Sequence, residues 1–316
     1  MANPNDSKAH QQFLDKNPFE GFKIDSTEIL NCIEGRHPCP KCGKSRKLFC
    51  YSCYVPISPL EGRLPKVKLP LKIDIIKHKH EIDGKSTASH AALLASEDVK
   101  IYTYPNIPDY TNEAVVMIFP GQNAISVSQL LSGETFDSIL EFQNQPLDQL
   151  PAGYNRSTLM QTIPKTREEK EFSHRVKKLP ITKAVFIDST WHQCKSIYKD
   201  EKIRAIPCVV IQNRISQFWR HQKGSPRWYL ATIEAIHQFV LEVHLHCWGL
   251  NPDYRGIKNC FTERGVYKHF ENMYSNESKA YDGQFDNLLY FFKHMYDVIH
   301  SYYNHEDLYA YKRRLM

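Results

Sequence analysis

Apolar positions along this chain follow two periods, and the changes from one to the other lay out the elements. From Leu69 the run LKIDII sets Leu71, Ile73 and Ile75 on alternate positions, as in a strand with one buried face. Residues 86–96 (STASHAALLAS) predict a short helix opened by Ser86 or Thr87, and VKIYTY (99–104) predicts the next strand. Three continuous apolar runs, at 114–121, 183–190 and 206–213, read as strands buried on both faces. A short helix is expected within 122–140 and another at 191–200. Helical spacing returns at 232–249, where Ile236, Phe239, Val240, Val243 and Cys247 share one stripe and Gly249 ends the run, and again at 284–303.

Buried strands alternating with helices predict an α/β fold, a mostly parallel sheet with helices on both faces. Ligands of such sheets bind beyond the carboxyl ends of the strands. Three strand ends therefore carry candidate chemistry: Phe119-Pro120-Gly121, Asp188-Ser189-Thr190-Trp191 and Gln212-Asn213-Arg214. The expected organisation is a flexible segment over 1–27, a cysteine module over 28–60, and a main domain over 61–316 with a polar variable insert at 141–182.

Composition narrows the class. The 316 residues suffice for one large domain with an accessory module, and 41% hydrophobic with 24% charged residues is a globular balance. No stretch reaches the roughly 18 apolar residues of a membrane span, and the polar opening MANPNDSKAHQQ lacks a secretory core, so a soluble intracellular protein without membrane contact is expected. A net charge of +6 permits a polyanionic partner without demanding one.

Nine cysteines include two Cys-x2-Cys pairs, Cys39/Cys42 and Cys50/Cys53, which favours a metal over disulfides. Two facing knuckles form the four-sulfur cage that zinc prefers, although iron takes the same cage. Four thiolates leave no open position, so the role is structural. Lys41, Lys44, Arg46 and Lys47 interleave with Phe49, Tyr51 and Tyr54, a pattern that suits single-stranded RNA and equally a solvated basic loop. Arg214, Arg220, His221, Lys223 and Arg227, interrupted by Phe218, Trp219, Trp228 and Tyr229, pose the same choice.

Taken together, the motifs resemble the DTW-domain family of tRNA-uridine aminocarboxypropyltransferases. Asp188-Ser189-Thr190-Trp191 matches its D-x-T-W signature, and Phe119-Pro120-Gly121 its strand-end F/Y-P-G element. Leu230–Ala235 resembles its S/A-T-x-E-A element. His80-Glu81 with Lys85–Ala88 resembles its upstream H-x-E segment, without the usual proline. The resemblance covers roughly residues 30–250, with the four motifs in the family's order, and is nearest to a eukaryotic branch linked to the tRNA D-loop and to the nucleus.

The resemblance implies a SPOUT-like, trefoil-knotted sheet. It also implies transfer of the 3-amino-3-carboxypropyl group from S-adenosylmethionine to uridine N3, with tRNA as partner and no DNA. The expected catalytic residues are Asp188, as base or anchor, with Thr190 and Trp191. Phe119, Pro120, Gly121, Ser189, Arg214, Thr232 and Glu234 are expected around the cofactor, and Cys39, Cys42, Cys50 and Cys53 around Zn2+. Helix capping offers Asp188, Thr232 and Glu234 another role. Two rival readings are an S-adenosylmethionine-dependent RNA methyltransferase and a non-catalytic zinc-stabilised RNA-binding protein.

Overall fold

The fold is that of a computed structural model, described for residues 14–121, 123–131, 179–212, 214–261 and 273–313, apart from the side chains of Trp191 and His192. Most of the expected insert, together with Gln122, Asn213 and Arg314, lies outside the described residues.

Six strands form one wholly parallel sheet: β5 (Lys72–Lys77), β6 (Val99–Thr103), β7 (Val115–Ile118), β8 (Ile125–Ser126), β9 (Lys183–Asp188) and β10 (Cys208–Val210). Their order across the sheet is β6-β5-β9-β7-β10-β8. The chain leaving β5 reaches one edge at β6 and the chain leaving β7 reaches the other at β8. The later β9 lies between β5 and β7, where the two crossovers diverge. Ligand crevices of open parallel sheets form at such switch points, and the last residue of β9 is Asp188.

Successive residues of a strand point to opposite faces, and both faces here are covered. On one, Ile73, Ile75, Val116, Ala184 and Phe186 pack with α2 (Ala88–Leu94), α3 (Val127–Leu131), α6 (Thr232–Trp248) and α7 (Tyr290–Tyr302). On the other, Ile76, Val115, Met117 and Val185 meet Ile197 of α4 (Trp191–Tyr198) and Ile203 of α5 (Glu201–Arg204). Lys72–Lys77 is therefore not the half-exposed strand its alternation predicts. Its polar member, Asp74, is buried because Tyr110 Oη donates to it at 3.2 Å and Lys183 Nζ lies 3.4 Å away.

Likewise α6 is not amphipathic around one stripe. It is enclosed on nearly all sides, with Glu234, His237, Gln238 and Glu242 buried beside the apolar residues. Gly249 ends it at φ +80°, as its position predicts. No helix among the described residues is long and apolar enough to cross a membrane.

The described part of the 1–27 segment packs against the main fold. Asp15 accepts both terminal nitrogens of Arg227 at 2.7 Å, and Phe19 meets Tyr296 edge-on at 5.2 Å. The following residues, from α1 (Glu28–Asn31) through β1 (His37–Pro38), β2 (Ser45–Arg46), β3 (Phe49–Cys50) and β4 (Val55–Pro56), form two small antiparallel ladders. Leu30, Leu48, Phe49, Ile57 and Leu60 join the same core as the sheet and α6. The cysteine module is thus built onto the main fold and has no core of its own.

Candidate active site

Asp188 ends β9 at the switch point with its side chain buried. Its Oδ1 accepts from Thr232 Oγ1 at 2.6 Å and its Oδ2 from Ser86 Oγ at 2.7 Å. Three sequence segments meet here: the D-S-T-W strand end, the first residue of α6, and the turn before α2. Thr87, next to Ser86, tightens the junction by accepting the Ile233 N–H at 3.2 Å.

No cation pairs with the Asp188 carboxylate among the described residues. Lys77, its neighbour in register, is taken by Asp83. Burial pushes the Asp188 carboxyl above its usual range, and the two hydroxyls and the Lys77 charge offset this only in part.

Capping does not explain Asp188. Thr190 is the N-cap of α4, where its N–H and hydroxyl both meet Gln193 Oε1 at 3.0 Å. Ser189 Oγ donates to the Thr190 carbonyl at 3.2 Å. Trp191 opens the helix, and its side chain is outside the described residues.

Phe119, Pro120 and Gly121 leave β7 beside β9. Phe119 stacks on Tyr198 of α4 with ring centres 4.5 Å apart. A Cβ at Gly121 would lie 2.6 Å from Cys208 Sγ and 2.9 Å from Tyr198 Oη. Glycine is required by the protein's own packing, so the close approach expected for a ligand is filled from within.

Two expected cofactor residues are committed elsewhere. Glu234 accepts from Ser216 Oγ at 2.7 Å, Gln217 N at 2.8 Å and Ala231 N at 2.9 Å, so it clamps the 216–217 segment onto the start of α6. Arg214 donates from Nη1 to His237 Nδ1 at 3.0 Å, which leaves His237 Nε2 to donate to Asp286 Oδ1 at 3.0 Å. Arg227 is fully enclosed by Asp15 and the Ser216 carbonyl. The basic stretch is therefore split: Arg214 and Arg227 are internal, whereas Arg220 borders a cavity.

That cavity, of about 260 Å3, lies between the cysteine module and the segment after β5. Arg36, Lys47 and Tyr51 line it from the module, Ser86 and His90 from the segment and α2, and Trp219 and Arg220 from the stretch after β10. Ser86 is shared between the cavity wall and the Asp188 cluster.

The four cysteine sulfurs lie within 4.8 Å of one another, with Cys42 and Cys50 Sγ 3.7 Å apart. A tetrahedral ion with Zn–S bonds of about 2.3 Å requires sulfurs roughly 3.8 Å apart. Each knuckle turns through a left-handed residue after its second cysteine, Gly43 at φ +69° and Tyr54 at φ +53°. Burial would raise the Cys50 thiol, but Arg46 Nε, 3.4 Å from its sulfur, and backbone N–H groups bring it down to about 6. Cys53 is pushed up to about 12, first by hydrogen bonding with Cys42. Four sulfurs this close cannot all ionise without a cation among them.

Sequence reasoning missed Ser86 as a partner of Asp188 and His237–Asp286 as the partners of Arg214. The first had a signal, since Ser86 lies in a segment matched to the family. The second had none, because neither partner stands in a motif.

The fold and site define an α/β protein with a parallel sheet, a buried, hydroxyl-bonded aspartate at its switch point and a basic, aromatic cavity beside it. Residues 47–300 match the DTW domain. The chain is 38% identical over 303 residues to tRNA-uridine aminocarboxypropyltransferase 1 of Xenopus tropicalis, covering 91% of this chain and 88% of the frog protein. It is 39% identical over 294 residues to the Homo sapiens protein of the same name, covering 90% and 84%. No solved structure matches it. The chain belongs to the DTW-domain family.

Proposed function

We propose that this protein is a tRNA-uridine aminocarboxypropyltransferase that modifies N3 of a uridine, with the D-loop as the expected position. The observation that carries the reading is the Asp188 cluster: a buried carboxylate at the switch point, held by Ser86 and Thr232, with no cation paired with it among the described residues. The names of the relatives supply the reaction. S-adenosylmethionine, when bound, supplies a carbon next to a sulfonium and departs as methylthioadenosine.

A cationic donor fits this edge, because Asp188 lacks the positive charge that usually accompanies a buried carboxylate. As nitrogen attacks carbon, uridine N3 loses its proton. Asp188, with a raised pKa and spare lone pairs, holds the imide and takes that proton. Ser86 and Thr232 fix the carboxylate's orientation. Thr190 and Trp191 start the helix facing the same edge, and Phe119–Gly121 form the neighbouring strand exit. Arg214 and Glu234 act through the framework.

Zn2+ at Cys39, Cys42, Cys50 and Cys53 is part of the proposal, supported by the sulfur spacing, and metal analysis of the purified protein distinguishes it from iron. The SPOUT-like, trefoil-knotted reading is supported by the parallel order with β9 slotted between two earlier strands. Nucleoside mass spectrometry after incubation with tRNA and S-adenosylmethionine tests the function. Methylthioadenosine with an aminocarboxypropyl-uridine is expected; S-adenosylhomocysteine would make the protein a methyltransferase, and no product would leave only a binding role.

A further inference from the structure

We propose that the cavity between the cysteine module and the 83–90 segment seats one unpaired nucleotide of the tRNA, at or beside the target uridine. The inference rests on the tRNA reading above and adds where the RNA is held. Charge is the first argument. Arg36, Lys47, Lys85 and Arg220 line the cavity, and none has a carboxylate within ion-pair distance among the described residues. The acidic lining residue, Asp83, is paired with Lys77 and also accepts Ser52 Oγ at 3.0 Å. The excess is positive, which repels a sulfonium donor and attracts a phosphodiester.

Shape gives the second argument. The volume of about 260 Å3 falls just below the roughly 300–1,000 Å3 of drug-sized ligand sites, and it suits one nucleotide better than a nucleoside with an amino-acid arm. Tyr51, with the Arg46 guanidinium 3.9 Å from its ring centre, and Trp219 supply aromatic surface for a base.

The third argument is unmet hydrogen bonding. Arg220 Nη1 and His90 Nδ1 are buried and lack partners, and both residues line the cavity. His90 is only 5% exposed, and burial brings its pKa down to about 3. It is therefore a neutral imidazole, able to meet a base edge. Ser86, in the wall, places the occupant one side chain from Asp188.

The test uses the full-length protein and unmodified tRNA. Fluorescence anisotropy over a salt series measures tRNA affinity, and calorimetry measures S-adenosylmethionine affinity. Arg36 and Lys85 have exposed side chains, so Arg36→Ala/Lys85→Ala is expected to fold. Its tRNA affinity should fall about tenfold and the slope of log K against log salt should lose roughly 0.7 per contact removed, while cofactor affinity is unchanged. Photocrosslinking of 4-thiouridine-substituted tRNA should mark peptides containing Tyr51 or Trp219.

Unchanged tRNA affinity and slope would overturn the proposal, as would crosslinks confined to other surfaces. A loss of cofactor affinity in the double variant would also overturn it, by making the cavity the donor's seat. If the salt slope falls although no transfer product is ever found, the nucleotide seat stands and the catalytic reading fails. If transfer proceeds with an unchanged KM for tRNA in the double variant, the seat fails and the catalytic reading stands.

Discussion

Asp188 and Asp286 are both buried, yet their surroundings push them in opposite directions. Burial alone would raise both carboxyls. At Asp286 it is outweighed by His237 Nε2, by the Lys23 N–H at 2.7 Å and by the Tyr281 hydroxyl at 2.8 Å, so the group is held below its usual range. Tyr254 Oη adds another bond at 2.9 Å. Asp188 has two hydroxyls and no cationic or imidazole neighbour bonded to it among the described residues, and it stays raised. A carboxylate that serves the fold is saturated; one that serves a reaction is left short of charge, ready for a cationic or acidic ligand.

The sharpest way to break this contrast is to remove the carboxylate at each position. Asp188→Asn should lower single-turnover formation of the modified uridine by about 10²–10⁴-fold, the usual range for a positioned base, with a thermal midpoint near that of the parent. Turnover close to parental would remove Asp188 from the chemistry. Asp286→Ala should do the reverse. It strands His237 and Arg214 without their anion, and urea unfolding should show a loss of about 3–5 kcal/mol. A stable Asp286→Ala protein would mean that the network contributes little.

Smaller effects should follow from the hydroxyls. Ser86→Ala or Thr232→Ala removes one bond that favours the charged form of Asp188, so the Asp188 carboxyl should move further up. The rate needs the ionised group and is lost as pH falls through its pKa. The acid limb of the pH–rate profile should therefore shift to higher pH in either variant, with roughly a tenfold loss below it, since a hydrogen bond to a charged group contributes about 1.5–3 kcal/mol. An unmoved acid limb would show that another group governs the limb.

The contrast also explains what was legible in the sequence. Period and apolar runs located β5, β6, β7, β9 and β10, and the cysteine pairs located the knuckles, because those signals lie within a few neighbouring residues. The two-residue β8 carries too little pattern to show. Alternation at Leu71–Ile75 was misleading, because Asp74 is polar but paired inside. D-S-T-W marked the functional aspartate, yet the Ser86 that orients it is 102 residues away. Arg214 and Arg227 read as part of an RNA surface or a solvated loop, and Arg214 also as a cofactor residue, for the same reason. Their partners are distant in the chain (Asp15 is 212 residues from Arg227), and a cation whose counter-charge is out of local view looks exposed.

Glu242 tests how far the contrast generalises. It is buried in α6, accepts from Gln238 Nε2 and the Gln212 N–H at 2.8 Å each, and like Asp188 has no cation paired with it among the described residues. Burial pushes its pKa up to about 8. A raised folded-state pKa favours folding while the group is protonated, so this contribution is full below the ordinary carboxylate pKa and is lost as pH rises towards 8. Glu242→Gln keeps an oxygen for Gln212 but carries no charge. It should melt near the parent at pH 5 and higher than the parent at pH 8.5, by about 2–4 °C for each kcal/mol recovered. Because Gln212 leaves β10 at the ligand edge, transfer activity separates two meanings of the missing charge. Unaltered kcat and KM would show that an uncompensated carboxylate marks a site only where, as at Asp188, hydroxyls from other elements aim it; a fall in cofactor affinity without a change in stability at pH 5 would place Glu242 beside the donor and widen the site to the β10 exit.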